Sequence, residues 1–264
     1  VKALEVIAKI QSACGAKLQE NHVDRIRAGN PETEVTGIVT TFMATVEVIR
    51  EARRRGANLI VTHEPTYFSH FDKEEWHAGD PVVAAKRKLV DELGMVVWRF
   101  HDGMHAVKPD MINVGMALAL DWEQYRADDD RWFFTLPQTT VGELAASAAG
   151  VCNSSTFRIV GDPSMKCSRV ALRVGAHSPE SHIRDMLKSN ADVIVVGEGP
   201  EWISIAWVRD AAALGMGRAM ILLGHCPSEE PAMAWCAEWI RGVVPGIPVC
   251  FVAAGEPFEK MENP

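Results

Sequence analysis

The chain has 264 residues, 47% hydrophobic and 23% charged, an ordinary globular composition with room for one large α/β domain or two modest lobes. Its net charge of −8, from 27 basic and 35 acidic residues with no basic stripe, argues against a nucleic-acid partner. A charged residue interrupts every apolar run before about 18 residues, so no membrane span is expected.

The first residues, VKALEVIAKIQSACG, predict an amphipathic helix with Leu4, Ile7 and Ile10 roughly on one face. They lack the basic start and small-residue cleavage site of a secretion signal. Cys14, Cys152, Cys167, Cys226, Cys236 and Cys250 are scattered without a C-x-x-C pair. They read as buried or free thiols of a reducing compartment, and a soluble, cytoplasmic protein is expected.

Further on, TGIVTTF predicts a strand and VEVIREARRRG a helix, whose Arg53-Arg54-Arg55 favours the negative end of the helix dipole. ANLIVTHEPTYF, residues 57–68, is then echoed by ADVIVVGEGPEW, residues 191–202. Ala57 and Ala191, Ile60 and Ile194, Val61 and Val195, and Glu64 and Glu198 coincide without a gap. Each is a short run of branched residues stopped by Gly or Pro, the pattern of a buried parallel strand. The surroundings repeat as well, with strand RVALRV and helix ESHIRDMLKSN before the second copy. A helix ending in Leu-Gly-Met and a further strand, MVVWRF or AMILLG, follow each copy. The expected architecture is therefore α/β, with two related three-layer lobes, mainly parallel sheets and a metal site between them. Residues 1–124 form the first lobe and 125–264 the connector and second lobe. Residues 121–137, with the acidic run Asp128-Asp129-Asp130, are expected as a connector or exposed hairpin ending in a solvated turn.

In open α/β sheets, chemistry gathers beyond the carboxyl ends of the strands. Here those ends run into His63-Glu64-Pro65, His101-Asp102-Gly103-Met104-His105 and His225-Cys226-Pro227-Ser228-Glu229. Each has a purely structural alternative; Ser228, for instance, makes a good helix cap. Jointly, imidazoles and carboxylates converging from separate strand ends are what zinc, iron or manganese requires. His22, His77, His177 and His182 sit in loop or helix contexts where surface or capping roles suffice.

These segments resemble those of the Nif-three-like (NGG-interacting factor three) family, whose bacterial members carry the name GTP cyclohydrolase I type 2 homologue. The resemblance spans nearly the whole chain. Gly56-Ala57-Asn58-Leu59-Ile60-Val61-Thr62-His63-Glu64-Pro65 is similar to the family's "gadliiTHHP" segment, and Phe100–Ala106 to its "aHTnlDa" segment. Ala191–Glu198 resembles "aDvyiTGE", and Gly224–Glu229 resembles "GHyaSE". The resemblance implies one or two divalent ions (Zn, Fe or Mn) held by His63, Glu64, His105, His225 and Glu229. Two positions depart from the family: its second histidine is Glu64 here, and its aspartate is His105. One imidazole and one carboxylate have been exchanged, so ligand number and charge are kept. Asp102 is an alternative ligand to His105. The resemblance also implies a homo-oligomer, a ring-like hexamer. The eight tryptophans, with Trp235 and Trp239 on one helix face, are compatible with an interface there.

The expected function is a metal-dependent hydrolase cleaving a C–N bond of a small molecule with metal-activated water. His101 and Glu198 are the candidates to move protons or orient water. Tyr67 and Phe68, in a loop that also holds Phe71 and Trp76, are candidates to line the substrate pocket. Nothing forms a nucleophile elbow, and no Gly-rich phosphate loop supports GTP as substrate. The alternatives are a non-haem iron(II) oxygenase using His63, His225 and Glu229, and a non-catalytic metal-binding or regulatory scaffold.

Overall fold

The computed structural model describes residues 1–71, 73, 75–127 and 132–259. The acidic run Asp128-Asp129-Asp130 lies outside the described residues. In chain order the elements are α1 (Ala3–Cys14), β1 (Ile26–Ala28), β2 (Ile38–Thr41), α2 (Val46–Arg54), β3 (Leu59–Thr62), α3 (Pro81–Glu92), β4 (Val96–Arg99), α4 (Asp102–Ala106) and α5 (Met111–Ala119). There follow β5 (Phe133–Thr140), α6 (Val141–Cys152), β6 (Arg158–Val160), β7 (Lys166–Ala176), α7 (Pro179–Ser189), β8 (Val193–Glu198), α8 (Ala206–Ala213), β9 (Ala219–Leu222), α9 (His225–Val243) and β10 (Val249–Phe251). They make two compact units, Val1–Met111 with Met233–Ala254, and Ile112–Ala232 with Gly255–Pro264. The units are therefore discontinuous, whereas a single cut after residue 124 was expected. The reason is β10, which pairs in parallel with β2, Val249 opposite Ile38 and Phe251 opposite Thr40, and covers what would otherwise be an open sheet edge.

The first unit's sheet has the order β1-β4-β3-β2-β10, parallel except for β1. Every residue of β2, β3 and β4 is buried, as branched runs covered on both faces require. Val39, Ile60 and Val97 from three strands pack with Val48, Ile49 and Ala52 of α2 and Val90 of α3. Thr45 caps α2, and Asp80 caps α3 ahead of Pro81 at its first turn. Arg54 and Arg55 close α2 by pairing with Glu51, each at 2.6 Å, in water where such pairs contribute little. On α1 the buried face is Ala3, Val6, Ile7 and Ile10, while Leu4 points outward, 51% exposed.

The second unit repeats the plan, with the order β5-β7-β8-β9-β6, a parallel β7-β8-β9 centre and antiparallel edges. β2, β3 and β4 correspond to β7, β8 and β9, in matching register. Leu59 faces Ile38 and Val96, as Val193 faces Val170 and Ala219. The echoed residues mark equivalent places. Ala57 donates its N–H to Ala52 at 3.0 Å and Ala191 donates to Met186 at 3.1 Å, each closing the preceding helix. Ile60 and Ile194 sit in the core of their own units. Part of the expected connector is ordered as β5, whose Phe133 and Phe134 are buried. All six cysteines are free thiols.

Two histidines given surface or capping roles are buried instead, His77 in the first unit and His182 in the second. His182 lies on α7 with Nδ1 3.4 Å from Ser204 Oγ, in a π-helical turn, Glu201–Ile205. Burial, helped by Arg173, lowers its pKa to about 4. The neutral ring is favoured in the fold, so its contribution is complete above pH ~6.5 and lost as pH falls toward about 4. At full size that loss is about 3 kcal/mol. Urea midpoints measured from pH 7 to pH 4 are expected to fall less steeply for His182→Gln than for the wild type. An unchanged slope would show that another group titrates.

Candidate metal centre

In the first unit the parallel register places the ends of β3 and β4 side by side. Phe100 N–H donates to the Thr62 carbonyl at 2.9 Å, so His63 and His101 leave adjacent strands at the same level. His105 follows one turn later on α4, its N–H on the His101 carbonyl at 3.2 Å. This five-residue helix is too short to hold itself. Buried Asp24 secures it, accepting the N–H groups of His101, Asp102 and Gly103 at 2.8, 2.7 and 2.8 Å. Residue 103 must be glycine, because a Cβ there would stand 2.6 Å from the Phe100 ring and 2.8 Å from the Asp24 carboxylate.

Three imidazoles gather as a result. The ring centroids of His63 and His101 are 4.5 Å apart, those of His101 and His105 4.7 Å, and those of His63 and His105 5.1 Å. One ring nitrogen from each falls within 4.8 Å of the others. Each Nδ1 has an oxygen beside it: the Phe100 carbonyl at 3.3 Å from His63, Asp102 at 2.8 Å from His101, and Asp110 at 2.8 Å from His105. An Nδ1–H donated to oxygen leaves the lone pair on Nε2, the donor that metal-binding imidazoles use with a carboxylate or carbonyl behind them. Burial pushes the His63 pKa well below the usual histidine range, with His101 and His105 adding to the effect, so this ring stays neutral. The His101 ring holds the Asp102 carboxyl down at about 2. The donor set therefore fits a divalent ion of the zinc, iron or manganese kind.

Glu64, the other expected ligand here, is buried with Oε1 3.7 Å from His101 Nε2 and Oε2 3.4 Å from Arg99. Arg99 is fully buried at the end of β4 and also donates to the carbonyls of His63 and His70. The His70 ring stands edge-on to His101, centroids 5.1 Å apart. Asp24, Arg99 and Asp110 were all missed in the sequence. Arg99 had a signal, since an arginine in the buried run MVVWRF needs an acceptor.

A cleft of about 420 Å³ opens beside these rings, lined by Lys17, Phe71, His70, His101, Asp102 and His105 among others. Tyr67 and Phe68, expected in the pocket, are not part of it. Tyr67 is buried with Arg87 over its ring at 4.2 Å, and Lys86 lies 5.2 Å over Phe68. Burial lowers the Lys86 ammonium to a pKa of about 8, and it donates to the Thr66 carbonyl at 2.7 Å.

The second unit builds its own donor group. β9 ends at Leu222 and α9 starts at His225, earlier than the expected cap at Ser228. Ser228 Oγ instead accepts the Gly175 N–H at 2.9 Å and donates to the His225 carbonyl at 2.8 Å, tying α9 to the end of β7. His225 Nδ1 is 3.1 Å from Glu198 Oε1, and its Nε2 is 3.4 Å from Glu229 Oε2. The hydrogen bond from His225 lowers the pKa of Glu198. Glu229 is buried, and Gly175, at φ +74°, leaves the space its carboxylate fills. A Cβ on Gly197 would lie 2.6 Å from Ser228 Oγ, so both glycines are needed for this packing.

Residues 1–255 match the profile of the Duf34/NIF3 (NGG1p interacting factor 3) family. A Clostridium perfringens protein named GTP cyclohydrolase 1 type 2 homolog is 24% identical over 254 residues, 91% of this chain and 92% of the relative. A protein of that name from Clostridium acetobutylicum is 23% identical over 83% of this chain and 81% of its own length. The fold is similar to that of a Bacillus cereus protein related to NIF3, with TM-score 0.75, 13% identity and 99% of each chain covered. It is also similar to that of protein ybgI, of unknown function, with TM-score 0.77, 20% identity, and 98% of this chain and 100% of that one covered. No helix among the described residues is long and apolar enough to cross a membrane.

The Asp24 cap is open to test. Asp24→Ala strands three N–H groups, that of Gly103 buried, and is expected to cost about 2–4 kcal/mol in urea unfolding, with Asp24→Asn less damaging. A loss below about 0.5 kcal/mol for Asp24→Ala would mean that α4 does not depend on it.

Proposed function

Because the chain belongs to the Duf34/NIF3 family, we propose that it is a metal-dependent hydrolase cleaving a C–N bond of a small molecule, an amide, cyclic amide or amidine. The observation that supports this most is the imidazole trio His63, His101 and His105, with its Nδ1 atoms backed by oxygens beside a cleft. In this reading His63, Glu64, His105, His225 and Glu229 hold one or two divalent ions. Such an ion makes water nucleophilic near neutral pH and polarises a carbonyl or C=N group. The name of the two clostridial relatives, GTP cyclohydrolase 1 type 2 homolog, is compatible with a hydrolase.

The chain's own groups position the reaction. The Phe100 carbonyl, Asp102 and Asp110 hold the rings in one tautomer, so the site keeps its shape before substrate arrives. Arg99 offsets the buried charge of Glu64. A small molecule of the cleft's size would rest against His70, His101 and Asp102, with the largely exposed Phe71 ring as a stacking platform. Glu198, half-exposed and linked to His225, is placed to exchange protons with solvent.

Untagged protein is expected to carry zinc, iron or manganese and to hydrolyse a member of a panel of linear and cyclic amides under strict anaerobiosis. Chelation should abolish turnover and metal addition restore it, while His63→Ala should lower metal affinity at least tenfold. Turnover that survives metal removal, or that needs oxygen, would overturn the reading. We also propose a homo-oligomer, a hexamer, with an interface on α9. There Trp235 is half-buried and Trp239 lies 6.4 Å from Phe100. A monomer mass by light scattering at micromolar concentration would refute it.

A further inference from the structure

We propose that His101 is a metal ligand, and that His63, His101 and His105 form a three-imidazole site able to hold one zinc-like ion with residues of the first unit alone. This rests on the metal-centre reading but changes the ligand set, giving His101 a place on the metal and not in proton transfer. The three rings are mutual neighbours, with centroid separations of 4.5, 4.7 and 5.1 Å, and each offers a nitrogen within 4.8 Å of the other two. His101 is the middle member: it stacks on His63 at an interplanar angle of 25° and meets His105 edge-on at 68°.

His101 and His105 each set Nδ1 against a carboxylate at 2.8 Å, and His63 sets its own against a backbone carbonyl at 3.3 Å. All three tethers select the same tautomer, with its lone pair on Nε2. The three rings thus turn their Nδ1 edges to oxygens, which leaves Nε2 of each as the atom a cation would take. Asp102 and Asp110 are then positioning residues, and Glu64, with Oε1 3.7 Å from His101 Nε2, sets a further carboxylate beside the trio. Three imidazoles with one carboxylate suit zinc, cobalt(II) or iron(II) over magnesium or calcium, which prefer oxygen.

The full-length protein, freed of metal by chelation, is titrated with Zn2+ against a chromophoric chelator. It is also loaded with Co2+, whose paramagnetism shifts the exchangeable Nδ1–H proton of each ligating imidazole. Three such signals are expected to persist in His225→Ala at one Co2+ per chain. His101→Ala should remove one of them and weaken Zn2+ at least tenfold. Asp110→Asn should weaken Zn2+ by about 10–100-fold while keeping the number of signals, which separates positioning from ligation and from misfolding. Zinc affinity and signals unchanged in His101→Ala, with only turnover lost, would overturn the inference and leave the metal-centre reading intact. Loss of all signals in His225→Ala would likewise show that the first unit does not hold an ion alone. A wild type that takes up neither metal would sink the hydrolase reading itself.

Discussion

A parallel ladder delivers the carboxyl ends of its strands to one edge, and the depth of each end is set by register. In the first unit Thr62 faces Arg99 across β3 and β4, so the residues that follow, His63 and His101, emerge within ring-stacking distance. A slip of one residue would turn one imidazole to the other face. The second unit uses the same register, with Leu223 N–H on the Val196 carbonyl as Phe100 N–H is on Thr62. Everything chemical in the two units hangs on this levelling of strand ends. The buried branched runs that hold it are the same residues that make the sequence repeat itself.

The levelled ends would still leave the rings free to turn, and hydrogen bonds behind them remove that freedom. Asp102, Asp110 and Glu198 each face an Nδ1 of a different histidine, and a backbone carbonyl does so for His63. The carboxylates thus shape the rings rather than merely supplying charge. Glu64, in a place where the family resemblance expects histidine, shares its pocket with the buried guanidinium of Arg99. The exchange of Glu64 and His105 keeps the number of imidazoles and carboxylates, while the surroundings decide what each can do.

The alternation of strands and helices, the duplication and the histidine-bearing strand ends could all be read from the chain. These are local patterns of apolar period and turn chemistry. Features made by distant partners could not. Asp24 acts on a helix 77 residues onward, and nothing in its neighbourhood marks it as a cap. Aromatic density points to Tyr67 and Phe68, yet cationic side chains from α3 stand over both rings, and the cleft takes Phe71 instead. In the sequence His101 has only the place of a proton carrier, because the family motif has its ligand four residues later. Only the packing of three rings brings its nitrogen into the group.

The chain leaves the first unit at Met111 and returns to it at Met233. On a ribosome, β2 therefore waits with an open edge while more than half of the protein is still to be made, because β10 arrives at Val249–Phe251. The core of the second unit, Ile112–Ala232, emerges as one uninterrupted stretch and can collapse first. Vectorial synthesis thus finishes the earlier-made half last. A chain clipped before Val249 would injure the unit that holds its beginning rather than the one nearest the cut.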